Sequence, residues 1–351
     1  LVHYPRSGAS TRIRHLQYFD SLRERGVVVE ASTLLPEGYV AARYAGRRLF
    51  LLGRIVRSYL RRIWAVRSVA RSGRYDVIWL QREMLPWVPF WVERMLGLWK
   101  SENIVVDYDD AVFHRYDRHR WMLVRWILGR KIDKTMQRAR SVTVGNAYLA
   151  DRALEAKSRA TKIVRTSVDT RVYEPSATSH GGRRLVVGWI GTPKTAKYLT
   201  TISGALKAAC ENLDLDLVFV GCGVDIRFPM PVEVVEWSEE TEVATLQRFD
   251  CGIMPLHDGD FERGKCAYKL IQYMAVGIPV LASPTGMNEW LVTESGGGML
   301  CRSEQDWVNA LTEFVSDPAR FAQMGRLGRE FVESKFSLEV ACDSIVDAMK
   351  E

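Results

Sequence analysis

Apolar residues fall mainly in short β-branched runs, separated by longer stretches with helical spacing. "LVHYP" (1–5) leads through a loop of small residues, "RSGAST" (6–11), into the amphipathic stretch "RIRHLQYFDSLRERG". "VVVEAS" (27–32), "YDVIWLQ" (75–81), "NIVVDYDD" (103–110), "SVTVGN" (141–146) and "KIVRTSVDT" (162–170) read as further strands of a parallel sheet. After "PSATSHGGRR" a second series begins, with strands predicted at 185–191, 215–221, 232–237, 251–256 and 278–283. Helices are predicted around 196–212, 239–248 and 266–275, and the remaining C-terminal residues read as helical. Two successive β/α series predict an α/β chain of two doubly wound, Rossmann-like domains. We place the first at 1–174, a linker at 175–184 and the second at 185–335, with 336–351 as a helix returning to the first domain. Ligands in such sheets gather at the carboxyl ends of the strands, and the default site of two such domains is the cleft between them.

Composition fits this picture. Of 351 residues, 47% are hydrophobic and 26% charged, enough for two cores and too apolar for a disordered chain. A net charge of +7 favours phosphorylated ligands, polyanions or anionic membrane surfaces. The six cysteines (210, 222, 251, 266, 301 and 342) contain no C-x-x-C pair, so reduced thiols in a cytosolic protein are expected, with no zinc site. No run of 18 apolar residues and no signal peptide is visible.

Three stretches carry candidate chemistry. In "VVGWIGTPKTAKYL" (186–199) a strand runs into Gly191 and Thr192, followed by Lys194, Lys197 and a helix. Glycine permits close backbone approach, and a helix start beside a lysine favours phosphate; an ordinary βα turn with a solvated lysine is the alternative. Both G-x-x-x-x-G-K-[ST] and G-x-G-x-x-G are missing, which removes the best support for a P-loop or a nicotinamide or flavin enzyme. In "FERGKCAYKLIQYMAVGIPVLAS" (261–283) a helix is expected from Cys266, with Ala267 and Tyr268 in its first turn. Lys265, Lys269 and Gln272 would share one face, suited to a pyrophosphate and a polyhydroxyl group, or simply to water. In "VVDYDDAVFHRYDRHRW" (105–121), Asp107, Asp109 and Asp110 close a buried strand and admit roles as helix cap, metal ligand or catalytic group. Arg82 ends another strand, where it would either face the cleft or, as the slightly favoured expectation, form a surface salt bridge with Glu83 or Glu93.

"GKCAYKLIQYMAVGIPVLAS", together with "GWIGT", "VGCG", "DCGIMPL" and "TSVDTRVYEP" in the same order, resembles family 4 retaining glycosyltransferases of group 1 type, which have the GT-B fold. The family's donor motif is Glu, seven residues, Glu; here Gly264 and Gln272 stand at those places, with Asp260 and Glu262 nearby. The resemblance implies a nucleotide-diphosphate-sugar donor as co-substrate, no other cofactor and no metal. Thr192 and Lys197 take the positions of the family's diphosphate-binding Arg and Lys, with Lys265 restoring the lost cation. Gln272 would meet the ribose, and Glu262 the sugar. Gly8 matches the family's first glycine loop, with Ser10 and Arg12 behind it. Asp109 and Asp110 occupy the place of a common His-Asp pair, and His114 would return an imidazole to the acceptor side. A front-face mechanism, in which the leaving phosphate helps deprotonate the acceptor, follows from the same resemblance. A sugar-nucleotide epimerase of the same fold, a glycan phosphorylase or a non-catalytic binding module remain alternatives; the altered Glu pair favours the last.

Between Arg43 and Arg74 lie ten Arg and no acid, interleaved with apolar residues at helical spacing, and "RWMLVRWILGRK" (120–131) repeats the theme. Such helices suit an anionic membrane surface, or pack one face on the sheet and show Arg to water, and the two readings are compatible; nucleic acid is not expected, since no recognition motif accompanies them. A peripheral position at the inner face of the plasma membrane, and a glycan or lipid-linked acceptor in cell-surface polysaccharide synthesis, follow as expectations.

Overall fold

The computed structural model describes residues 1–39, 48–176, 184–223 and 227–350; in the helix that starts at Arg48, side chains are described from residue 53. Residues 177–183 of the expected linker and 43–47 of the basic stretch lie outside the described residues.

The chain forms two compact units. The first comprises Leu1–Thr166 and Ala341–Glu351, the second Ser167–Val340. The division thus comes at Thr166, earlier than the expected boundary at 174. Residues beyond it are tied to the second unit: Val168 bridges Ser337, Arg329 donates to the Thr170 carbonyl, and Gln247 donates to that of Glu174. The last helix, Leu338–Lys350, contributes its residues from Ala341 to the first unit. There Arg25 meets Asp343 at 2.8 Å and Lys162 meets Asp347 at 3.1 Å.

The first unit is built on a parallel sheet of β1 (Ile78–Gln81), β2 (Ile104–Tyr108), β3 (Ser141–Val144) and β4 (Thr161–Ile163), in that spatial order. Strands β1 to β3 are buried throughout, which is why they read as unbroken apolar runs rather than alternating ones. "VVVEAS" is not a buried strand. Val28 is largely exposed, and this edge meets the first residues of the chain through an isolated Val2–Thr33 bridge. Apolar content alone misplaced it, because an outer edge segment needs no burial. The expected first helix is broken at His15 into Ala9–Arg14, a short 3-10 turn and Phe19–Glu24.

In the second unit the order is β10 (Gly298–Leu300), β9 (Val280–Ala282), β8 (Cys251–Met254), β5 (Leu185–Ile190), β6 (Leu215–Val220) and β7 (Glu233–Val235), and every pairing is parallel. Its core centres on Trp189, Phe219, Leu281, Trp307 and Phe321. β10 escaped the sequence reading because it begins within a run of glycines.

Candidate active site

Each unit carries one cluster of polar side chains at the carboxyl ends of its strands, where parallel sheets present functional groups.

In the second unit the cluster starts where β5 ends. A Cβ on Gly191 would lie 2.4 Å from the Trp189 ring and 2.8 Å from Lys269 Nζ, so only glycine admits both neighbours. Gly221, at φ +71°, brings the end of β6 against the Gly191 carbonyl. Lys269 projects from the helix Tyr268–Ala275, and its ammonium lies 4.2 Å from the centre of the Trp189 ring. It makes no hydrogen bond or ion pair among the described residues. Burial pushes its pKa well below the usual lysine value, and the neighbouring Lys265 lowers it further. A half-buried cation beside a glycine-lined strand end is a setting in which a bound anion would restore the charged lysine.

The helix does not begin at Cys266 as expected. Ala267 takes the left-handed conformation, φ 52° and ψ 27°, and caps a helix that starts at Tyr268. Lys265 therefore lies outside the helix and is not the i,i+4 helical partner of Lys269. The turn still brings the two ammonium groups close enough for one to depress the other. Lys265 Nζ lies 5.9 Å from the Tyr198 ring and Lys197 Nζ 4.9 Å from it, so Tyr198 carries cations from two segments. Lys197 itself is exposed. Thr192 is drawn into a turn, its N–H donating to Thr195 Oγ1 at 3.0 Å. Cys266 is a buried free thiol.

Glu262 is buried, accepts a hydrogen bond from the Tyr198 hydroxyl and lies 3.3 Å from His257 Nε2. Gln272 faces a closed network instead of open space: its Nε2 donates to the Tyr173 hydroxyl at 3.0 Å and to Glu242 Oε1 at 2.9 Å. Glu242 also accepts from Tyr173 and from Trp237 Nε1. Tyr268 joins through a hydrogen bond to Tyr173. A carboxylate is thus present beside position 272, supplied by the helix Glu242–Leu246. Sequence reasoning missed it, because nothing local distinguishes Glu242 within "SEETEVATL".

In the first unit, Gly8 precedes the helix Ala9–Arg14, and a Cβ there would lie 2.4 Å from Tyr4 Cβ. Ser10 donates to Asp109 Oδ2 and accepts from Gln81 Nε2 at 3.1 Å and Arg82 Nη2 at 2.9 Å. Arg82 is buried, not a surface residue, and it pairs with neither Glu83 nor Glu93. Its Nε and Nη2 bond Asp109 Oδ1 at 3.0 and 2.7 Å, and Nη2 lies 3.3 Å from Asp110. Reaching them requires φ +62°, a conformation costing a non-glycine residue about 1 kcal/mol or more. Burial alone would raise the Asp109 pKa, but the Arg82 charge outweighs it, with help from Ser10 and Arg14, and holds the carboxyl below its ordinary value. Asp107 is structural: Arg14 Nε donates to it at 3.0 Å and Thr143 Oγ1 at 2.7 Å. His114 offers no free imidazole. Nδ1 lies 2.9 Å from Asp117 and Nε2 2.8 Å from the Tyr148 hydroxyl, so both nitrogens are occupied. Arg12 is buried.

Arg82→Met is expected to destabilise the fold by about 3–5 kcal/mol at neutral pH, because two carboxylates lose their buried partner. Asp109, depressed in the native state, stabilises the fold above the ordinary carboxylate range, and this contribution disappears as pH falls through its lower native value. In the variant the order is reversed, burial now raises the Asp109 pKa, and the deficit shrinks as pH falls toward about 4. Urea unfolding at several pH values checks this; a deficit independent of pH would contradict the pairing.

Residues 183–317 match the family described as Glycosyl transferases group 1. An 82-residue stretch is 33% identical to alpha-1,3/1,6-mannosyltransferase ALG2 of Rhizomucor pusillus, covering 23% of this chain and only 18% of that protein. Among solved structures, Anabaena HepE in complex with UDP and glucose superposes with a TM-score of 0.65 at 15% identity, covering 95% of this chain and 88% of that one. Sucrose-phosphate synthase from Thermosynechococcus elongatus gives 0.65 at 17% identity, covering 85% and 79%.

Proposed function

We propose that this chain of GT-B fold, whose residues 183–317 match the group 1 glycosyl transferases, is a retaining glycosyltransferase that moves a sugar from a nucleotide-diphosphate donor to a glycan or lipid-linked acceptor. The observation that carries this reading is Lys269: an ammonium held against Trp189, beside Gly191, with no counter-ion among the described residues. A diphosphate supplies that counter-ion, and Lys265 and the exposed Lys197 add charge from adjacent segments. The amides at the start of Tyr268–Ala275 are oriented for the same anion. As the glycosidic bond breaks, negative charge grows on the leaving diphosphate, and these fixed cations stabilise it more than the ground state.

The ribose would meet the Gln272–Glu242 network only by taking the place of one of its internal hydrogen bonds. Glu262, with Tyr198 and His257, reads the sugar. Ser10 and Asp109, oriented by Arg82, contact the acceptor, and Gly8 keeps that loop tight. No enzyme nucleophile is invoked; a phosphate oxygen takes the acceptor proton. The helix Arg48–Ser72 would bring the protein to an anionic membrane at the cytoplasmic face, where a lipid-linked acceptor for polysaccharide synthesis is available. No helix among the described residues is long and apolar enough to cross a membrane.

The closed Tyr173–Glu242–Gln272 network favours one competing reading, a non-catalytic nucleotide-sugar-binding module. Incubation with a panel of UDP-, GDP- and dTDP-sugars separates the two. A transferase slowly releases nucleotide from one donor even without acceptor, and faster with the right acceptor. Binding without any release across the panel would overturn the enzyme assignment.

A further inference from the structure

Several of the exposed large apolar residues of the first unit cluster on and beside one short helix, the kind of surface that marks an interaction site. The helix Met122–Leu128 stands out from the sheet with Trp121, Met122, Leu123, Trp126 and Ile127 all exposed. Met122 is 75% and Trp126 82% accessible. At about 1.5 Å per residue this helix is roughly 10 Å long, a plug rather than a face. From Arg118 to Lys131 the sequence holds no acid, and Arg118, Arg120, Arg125 and Arg130 surround the apolar residues. Only Lys131 turns inward, to Glu83 and Glu93.

The region continues along a traceable path. His119 lies 5.5 Å from the Trp121 ring and 5.8 Å from that of Trp87, itself half exposed. Beside Trp87, the Pro86 carbonyl accepts from the Tyr59 hydroxyl at 2.8 Å. Tyr59 belongs to the helix Arg48–Ser72. That helix buries Ser58, Arg62 and Val66 at i, i+4 and i+8, with Arg62 donating to the Val2 and Ser32 carbonyls. Its opposite side shows Val56, Leu60 and Trp64 at the same spacing, between the exposed Arg54, Arg57, Arg61 and Arg67. A single fold thus carries two apolar ridges in a field of arginine.

We propose that this surface inserts into an anionic phospholipid bilayer, with Trp121–Ile127 as the wedge that enters the interface and the Val56–Leu60–Trp64 ridge as its basic flank. The proposal deepens the membrane-proximal part of the functional reading and rests on it. Charge complementarity selects the occupant: tryptophan and aliphatic groups ringed by arginine suit the boundary between acyl chains and anionic headgroups, and a wedge of this size matches the depth of about 5–10 Å reached by interfacial helices. The same region borders the acceptor cluster, because the Tyr116 hydroxyl, which accepts from the Trp87 N–H, donates to Glu83, the residue after Arg82. A lipid-linked acceptor held at the bilayer surface would reach Asp109 along that side.

The test uses the full chain with sedimenting vesicles of pure phosphatidylcholine and of phosphatidylcholine with phosphatidylglycerol. Wild type should pellet with the anionic vesicles only. Trp121→Ser/Trp126→Ser/Ile127→Ser should weaken binding at least about tenfold, while nucleotide binding and the thermal transition stay unchanged. Leu123→Cys carrying an environment-sensitive dye should shift to the blue on anionic vesicles. Wild-type pelleting of the triple variant, with no dye shift, would overturn the wedge yet leave the membrane-proximal reading standing. Failure of wild type to bind anionic vesicles would overturn both. A wild-type dimer in gel filtration that the triple variant breaks, without vesicle binding, would assign the surface to a second copy of this chain instead.

Discussion

Lys269→Met should lower turnover on the donor about 10²–10³-fold, the range expected when one fixed charge at the developing oxyanion is lost. The argument rests on its setting. Methionine keeps the stem and its contact with Trp189, so the loss reports charge and not packing. The native lysine, depressed by burial and by Lys265, becomes partly neutral as pH rises through its lowered value. A diphosphate favours the charged form, so donor binding near that value takes up a proton, and affinity falls as pH rises through it. Calorimetry in two buffers of different ionisation enthalpy measures the uptake in wild type, and it should vanish in the variant. The linked stability effect has the opposite sense. A lysine whose native value lies below its unfolded one weakens the fold at neutral pH, and the deficit is relieved only as pH climbs between the two values. Lys269→Met should therefore be at least as stable as wild type while nearly inactive; unaltered proton uptake in the variant would remove Lys269 from the anion site.

Gln272→Glu restores the residue that the family's motif carries and should nevertheless damage this protein. Gln272 Nε2 donates to Glu242 Oε1 at 2.9 Å, so the new carboxylate would face an existing one in a buried network. Two carboxylates that close cannot both ionise readily, and destabilisation of about 3–5 kcal/mol at neutral pH is expected, less at acidic pH where they share a proton. The double variant Gln272→Glu/Glu242→Gln exchanges the amide and the carboxylate and should recover most of the stability. Thermal melting of the three variants decides it. Equal losses in the single and double variants would show that the two positions do not interact.

What the sequence disclosed, and what it hid, follow the range of the forces involved. Strands such as "NIVVDYDD" and "LVVGWIG" were legible because burial on both faces writes a continuous apolar run. The helix and strand of "GKCAYKLIQYMAVGIPVLAS" were legible because their pattern is local. The start of its helix was not: the left-handed turn at Ala267 is imposed on a residue with no local preference for it. Arg82 looked like an exposed charge beside acids in sequence, yet its partners come from the segment just after the neighbouring strand and from Ser10 in the first helix. Glu242 and Gln272 lie 30 residues apart, and only folding joins them. His114 matched an expected role by position, but both of its nitrogens are occupied: by Asp117, its i,i+3 neighbour, and by Tyr148, 34 residues away, which nothing local links to it.

The return of the last helix also sets a timetable. The first unit is finished only by Ala341–Glu351, whose Ala341, Cys342, Ile345 and Ala348 are buried. A ribosome adding about 5–20 residues per second needs on the order of ten to thirty-five seconds to pass from Thr166 to Ala341. For that time the first unit waits with an apolar seam open, while the second unit, contiguous from Ser167 to Val340, can fold as it emerges. Premature termination just before the last helix therefore harms the half of the protein made first. A fragment ending at Thr166 lacks the helix that completes the first unit, whereas a fragment spanning Ser167–Val340 is contiguous and is the natural piece for isolating the second unit.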